Sequence, residues 1–244
     1  MASWLRQQPM RDAGPDRRTD GWSAPALPPP LHAGIGPVAA VAALVLVALG
    51  VLYAGRGEPG SRVDAWLRPP LDGVGPPWRG IALATDFWGE PVGAAVLVAA
   101  AVAGCLLLRR PRAAVLAVVG VGLAVVTTAL LKPLVGRTIN GEYLSYPSGH
   151  TAFATAFALV AALLVTGLLG LGRAAGTLVL LGTALVAGAA MGWAQVTLNA
   201  HYPTDTLGGW CTALAVVPAT AWLVDRTADR LAGRGTDAGR RSGD

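Results

Sequence analysis

Uncharged stretches of about twenty residues recur along the chain, separated by short segments rich in arginine, proline and glycine. An α-helix needs about 20 apolar residues to cross roughly 30 Å of hydrocarbon, so each stretch reads as a membrane span. Six are expected, at about 34–54, 91–108, 113–131, 150–171, 174–193 and 206–224. Between the first two, residues 55–90 mix Trp66, Trp78 and Trp88 with proline, glycine and charges. That is the pattern of a loop whose short helices lie at the membrane surface, a depth tryptophan prefers. Residues 1–33 are polar and Pro-rich, lack the apolar core and cleavage site of a signal peptide, and are expected to stay disordered. Residues 225–244 form a second polar tail that need not fold. The fold class expected is therefore all-α: a polytopic membrane protein with a single six-transmembrane-helix bundle over 34–224.

Composition agrees with membrane insertion. Of 244 residues 53% are hydrophobic and only 14% charged, against about 25% charged in soluble domains. The formal charge of +5 does not point to nucleic acid, because the arginines are spread over loops and tails with no basic stripe interleaved with aromatics. Anionic lipid headgroups are the simpler partner. Cys105 and Cys211 both fall in apolar stretches without metal-ligand spacing and read as core residues. No charge lies in the middle of a span, which argues against an ion pump or channel.

Cytoplasmic loops carry the excess of basic residues. With both termini cytoplasmic, the N-terminal arginines, the Arg109–Arg112 cluster, Arg173 and the C-terminal arginines all fall inside. The expected location is the plasma membrane of a bacterium. The loops after the third and fifth spans then face outward, and these hold the chemistry.

Lys132 is the only lysine among nineteen basic residues and closes the third span, next to the loop with Arg137. The run Tyr146-Pro147-Ser148-Gly149-His150 leads straight into the fourth span. Ser148 can cap that helix, leaving first-turn N–H groups free for an anion. Gly149 admits close backbone approach, and the His150 imidazole can exchange a proton near neutral pH. In the other loop His201 and Asp205 are four apart. The carboxylate can hold one imidazole nitrogen protonated and leave the other free to attack. Together these groups suit phosphoryl transfer: cations and N–H groups for the oxygens, one histidine to attack, another to protonate the leaving oxygen. No carboxylate cluster for magnesium or calcium is apparent along the chain, so metal-independent chemistry without a cofactor is expected.

At these residues the chain resembles the type 2 phosphatidic acid phosphatase superfamily of membrane lipid phosphatases, whose core is a six-helix bundle. That family's signature runs Lys, six residues, Arg-Pro; then Pro-Ser-Gly-His; then Ser-Arg, five residues, His, three residues, Asp. Lys132 opens the first part, Pro147-Ser148-Gly149-His150 is the whole second part, and His201 with Asp205 closes the third. The resemblance spans about residues 34–224. It departs where the first arginine and proline fall on Ile139 and Asn140, and where Ser-Arg falls on Ala194-Gln195. Arg137 is the nearby candidate to replace the first guanidinium, and Gln195 can donate a hydrogen bond without charge.

The resemblance implies that His201 attacks phosphorus to form a phosphohistidine, Asp205 orients it, and His150 protonates the departing lipid alkoxide. It also implies that Lys132, Arg137, Ser148 and the Gly149 N–H hold the phosphate oxygens, with Gln195 alongside. The implied substrates keep their tails in lipid: polyprenyl diphosphate, phosphatidic acid, phosphatidylglycerol phosphate or a related phospholipid. An isoprenoid or glycolipid phosphate is preferred because the site is expected to face outward. The alternatives are a transferase that passes the phosphoryl or phospho-headgroup to an alcohol, and a catalytically silent relative. The oligomeric state is left open by the sequence.

Overall fold

The computed structural model describes residues 24–57, 60–67 and 74–241, with side chains to residue 234. Among these residues the elements run α1 (His32–Tyr53), α2 (Arg62–Leu67), α3 (Trp78–Phe87), α4 (Pro91–Leu107), α5 (Pro111–Val135), β1 (Thr138–Ile139), β2 (Tyr143–Leu144), α6 (Gly149–Leu168), α7 (Arg173–Thr197) and α8 (Pro203–Arg241). Helices α1, α5, α6, α7 and α8 are each long and apolar enough to cross a membrane. Helices α3 and α4, bent by 60° at a short break, together make a sixth candidate span. The chain is thus the all-α membrane bundle its hydropathy predicts.

Local chemistry sets the boundaries. Pro91 and Pro111 open α4 and α5 in the first turn, where a missing N–H is harmless. Gly136 closes α5 in the left-handed conformation (φ 63°), its N–H donating to the Lys132 carbonyl. The core centres on α6, which packs against α5, α7 and α8. Its inward face carries the fully buried Ala152 and Ala156, met by Ala117 and Ala124 of α5, Ala184 of α7, and Ala213 of α8. Small residues let helices approach closely where lipid supplies no hydrophobic drive. One close approach is at Gly209, where a Cβ would stand 2.3 Å from the Ser148 carbonyl oxygen. Only glycine lets α8 touch the start of α6 there.

The tails differ from the expectation where they are described. Residues 24–33 are not a disordered tail: Ala26, Leu27 and Leu31 are buried, and the N–H groups of Ala26 and Leu27 donate to the Asp225 carboxylate. Residues 1–23 lie outside the described residues. Helix α8 does not stop near Val224 but continues to Arg241, with Asp225 and Asp229 both paired to Arg112. Charges on a helix that leaves the membrane find solvent and partners, so polarity alone does not end it.

Candidate active site

The two polar loops meet at one end of the bundle. The Ser148 N–H donates to the Asp205 carbonyl at 3.0 Å. Asn140 and Asn199 bond reciprocally, Asn140 Nδ2 to the Asn199 carbonyl at 2.8 Å and Asn199 Nδ2 to Asn140 Oδ1 at 3.1 Å. Both asparagines have positive φ, 51° and 59°, a conformation asparagine tolerates better than most residues. The Ser148 hydroxyl caps α6, accepting from the Thr151 N–H at 3.3 Å and the Thr151 hydroxyl at 3.1 Å. Ser148 is itself fully buried, so its side chain serves the helix. The first-turn N–H groups of Gly149 and His150 have no acceptor within the helix and form an anion-seeking terminus.

His201 sits just before α8 and is 7% exposed. Its Nδ1 faces Asp205 Oδ2 at 3.7 Å, beyond the roughly 3 Å of a formed hydrogen bond. Burial holds the imidazole below its ordinary value, opposed by Asp205; the charges of Lys132 and His150 push it down further. Lys132 and His150 are thus near enough for their charges to act on His201. With Nδ1 turned to a carboxylate, Nε2 is the ring nitrogen left for other chemistry.

Arg137 is not where a phosphate ligand should be. It is 1% exposed, with Nη1 bonded to Thr204 Oγ1 at 2.7 Å and to Asp205 Oδ1 at 2.6 Å, and Nη2 bonded to Asp64 Oδ2 at 2.5 Å. The rings of Tyr53 and Tyr202 flank the guanidinium at 4.2 and 4.4 Å. Nη1 spends both hydrogens inside the protein, Nη2 makes one bond and the buried Nε none; at 1% exposure the guanidinium faces two carboxylates rather than open space, against the expectation of a phosphate contact. Asp64 was not singled out from the sequence because it lies in the loop after α1, more than seventy residues from Arg137. It sits in α2, where Ser61 donates to its Oδ2 from Oγ at 2.6 Å and from N at 3.0 Å. Thr204 donates to Oδ1 from N at 3.0 Å and from Oγ1 at 2.8 Å. Burial pushes the Asp64 carboxyl up, but these bonds outweigh it and hold the group below the usual carboxylate range.

The two departures from the signature have separate structural causes. Ile139 and Asn140 fall in a hairpin, Thr138 opposite Leu144 and Ile139 opposite Tyr143, where Ile139 is buried and Asn140 makes the loop-to-loop bonds. Gln195, buried on α7, donates from Nε2 to Asp86 Oδ1 at 2.5 Å. Asp86 and Glu90 flank the bend between α3 and α4, and each places an oxygen 3.5 Å from His150 Nε2. Gly89 between them lies against the His150 ring, so closely that a Cβ would be 2.3 Å from it. A protonated His150 therefore has two carboxylate partners. The absence of any carboxylate cluster, read from the sequence, is corrected: Asp86, Glu90 and His150 each offer a ligand atom, all within 4.8 Å of one another, and could hold a metal ion. The bend brings Asp86 and Glu90 onto α6, a proximity invisible in linear spacing.

The structure is a membrane-type helix bundle with a buried His–Asp pair and an anion-seeking helix start at one end. The family model of the PAP2 superfamily matches residues 113–229, the stretch that holds both polar loops. Among solved structures, the chain is similar to the first transmembrane PAP2-type phosphatidylglycerolphosphate phosphatase from Bacillus subtilis. The identity is 20% with a TM-score of 0.61, covering 79% of this chain and 96% of that one. Among curated proteins nothing matches.

Proposed function

We propose that the chain is a membrane lipid phosphatase acting through a phosphohistidine. The observation that carries this reading is His201, nearly sealed and backed by Asp205, with the charges of Lys132 and His150 near enough to act on it. In the first step His201 Nε2 attacks phosphorus, the ester P–O bond breaks, and His150 gives its proton to the lipid alkoxide. In the second, water attacks the phosphohistidine, a proton returns to His150, and phosphate leaves with His201 regenerated. Lys132 and the N–H groups of Gly149 and His150 meet the charge on the oxygens. Donors already in position need no rearrangement as that charge develops.

With Arg137 withdrawn, the cationic complement is small, and Asp86 and Glu90 stand on the His150 side. This balance favours a lipid monophosphate over a diphosphate, whose extra charge would face the carboxylates. Phosphatidic acid and phosphatidylglycerophosphate, the latter the substrate for which the Bacillus subtilis neighbour is named, belong in the first panel beside polyprenyl phosphate and diphosphate. The outward orientation of the site is supported by Arg109, Arg110 and Arg112 lying at the other end of the bundle with Asp225.

The test is phosphate release by purified protein from that panel, with and without His201→Ala. Release that vanishes in the variant supports the reading. Lipid consumed without free phosphate points to a transferase, and no turnover of any lipid to a silent relative.

A further inference from the structure

We propose that Asp64 and Arg137 are positioning residues: Asp64 anchors the Arg137 guanidinium against Asp205 and so sets the carboxylate behind the His201 ring. The effect on turnover rests on the phosphatase reading; the geometry does not.

Three features carry the inference. Arg137 touches both carboxylates, Asp64 through Nη2 and Asp205 through Nη1, and the two tyrosine rings leave it no freedom to turn outward. Thr204, on the first turn of α8, is held by Asp64 through both its N–H and its hydroxyl, one residue before Asp205. The other Asp205 oxygen accepts from the Tyr202 N–H at 3.0 Å and faces His201. Asp205 is thus fixed from two directions, by its own loop and by a strap, α2, that comes from between the first two candidate spans. A buried guanidinium between two carboxylates leaves one net negative charge, and Asp205 keeps Oδ2 for the imidazole. A phosphate ligand would instead need an exposed N–H pair on Arg137, and the guanidinium is sealed at 1% exposure. The groups facing His201 are Asp205 from α8, Lys132 from α5 and His150 from α6; Arg137 and Asp64 act on it only through Asp205.

The experiment uses the full chain in bilayer nanodiscs with 15N-labelled histidine, which reports only three residues. Asp64→Asn and Arg137→Lys are compared with the unmodified protein, and Ser61→Ala serves as a milder variant that loosens Asp64 without removing its charge. The expected result is a His201 ring protonated at Nδ1 in the unmodified protein. Its tautomer balance and titration midpoint should move in Asp64→Asn and Arg137→Lys, and in the same direction but less in Ser61→Ala, while those of His32 stay put. On a lipid phosphate that the protein hydrolyses, kcat should fall at least tenfold with KM within twofold. An unchanged His201 titration in all folded variants, or a loss confined to KM, overturns the proposal. Absence of turnover in the unmodified protein sinks the phosphatase reading alone, since the His201 spectra still decide the positioning role.

Discussion

At the arginine-rich end of the bundle, Asp225 accepts from the Ala26 and Leu27 N–H groups at 2.8 Å each and meets Arg112 at 3.5 Å, while Asp229, 67% exposed, takes the other Arg112 nitrogen at 2.7 Å. At the opposite end Asp205 and Asp64 close on Arg137 with every partner about 1% exposed or less. Each end uses one arginine between two aspartates. They differ in water. The solvated pair tolerates many geometries and contributes little, whereas a sealed one is worth its position more than its energy, because removing one partner strands a charge. The candidate site lies at the end where the charges are sealed from water.

Breaking the sealed end should have the largest effect. Arg137→Ala strands Asp64 and Asp205 together, with an expected loss of about 3–5 kcal/mol in unfolding free energy, measured by thermal unfolding in detergent. A loss below about 1 kcal/mol would mean that water reaches the pair. Asp225→Ala comes next. It leaves two backbone N–H groups short of an acceptor, for an expected loss of about 1–3 kcal/mol, together with faster proteolysis near residue 26. Ser148→Ala should cost about 1 kcal/mol through the lost cap; a loss in kcat far beyond what that instability explains would return Ser148 to the phosphate. The smallest change belongs to the wet end, where Arg112→Ala should shift stability by less than about 1 kcal/mol and lose even that in high salt.

The same burial has a sign in pH. His201 is held below the ordinary imidazole value of about 6.5, so its neutral, attacking form survives into more acidic solution. The acidic limb of kcat/KM should fall below that value. Linkage runs the same way: between the depressed and the ordinary value the unfolded chain binds more protons, so stability drops as pH falls through that window and levels off beneath it. An acidic limb above 6.5 would show that burial does not dominate.

The spans could be read from the chain because hydrocarbon imposes its length on any helix that crosses it, and the His201–Asp205 proximity because the two residues are four apart. Asp64 and Asp86 were not legible. Each reaches its partner across the fold, Asp64 to Arg137 and Asp86 to Gln195, and nothing in a linear stretch marks such a pairing. Arg137 was found but misassigned, since a sequence shows a cation near a phosphate loop without showing that two carboxylates have already claimed it. The fate of residues 24–33 turned on Asp225, almost two hundred residues away.

The hairpin at Ile139 and Asn140 limits how this protein could change. Restoring the superfamily's arginine at 139 by a single replacement would drive a guanidinium into the space of a side chain 2% exposed, and altering Asn140 would untie Asn199 in the neighbouring loop. A route toward the usual signature therefore runs through an insertion or deletion that resets the register of the whole connection, with several residues changing together. The hairpin thus ties the charge of the neighbouring site to the register of the whole loop rather than to any single residue.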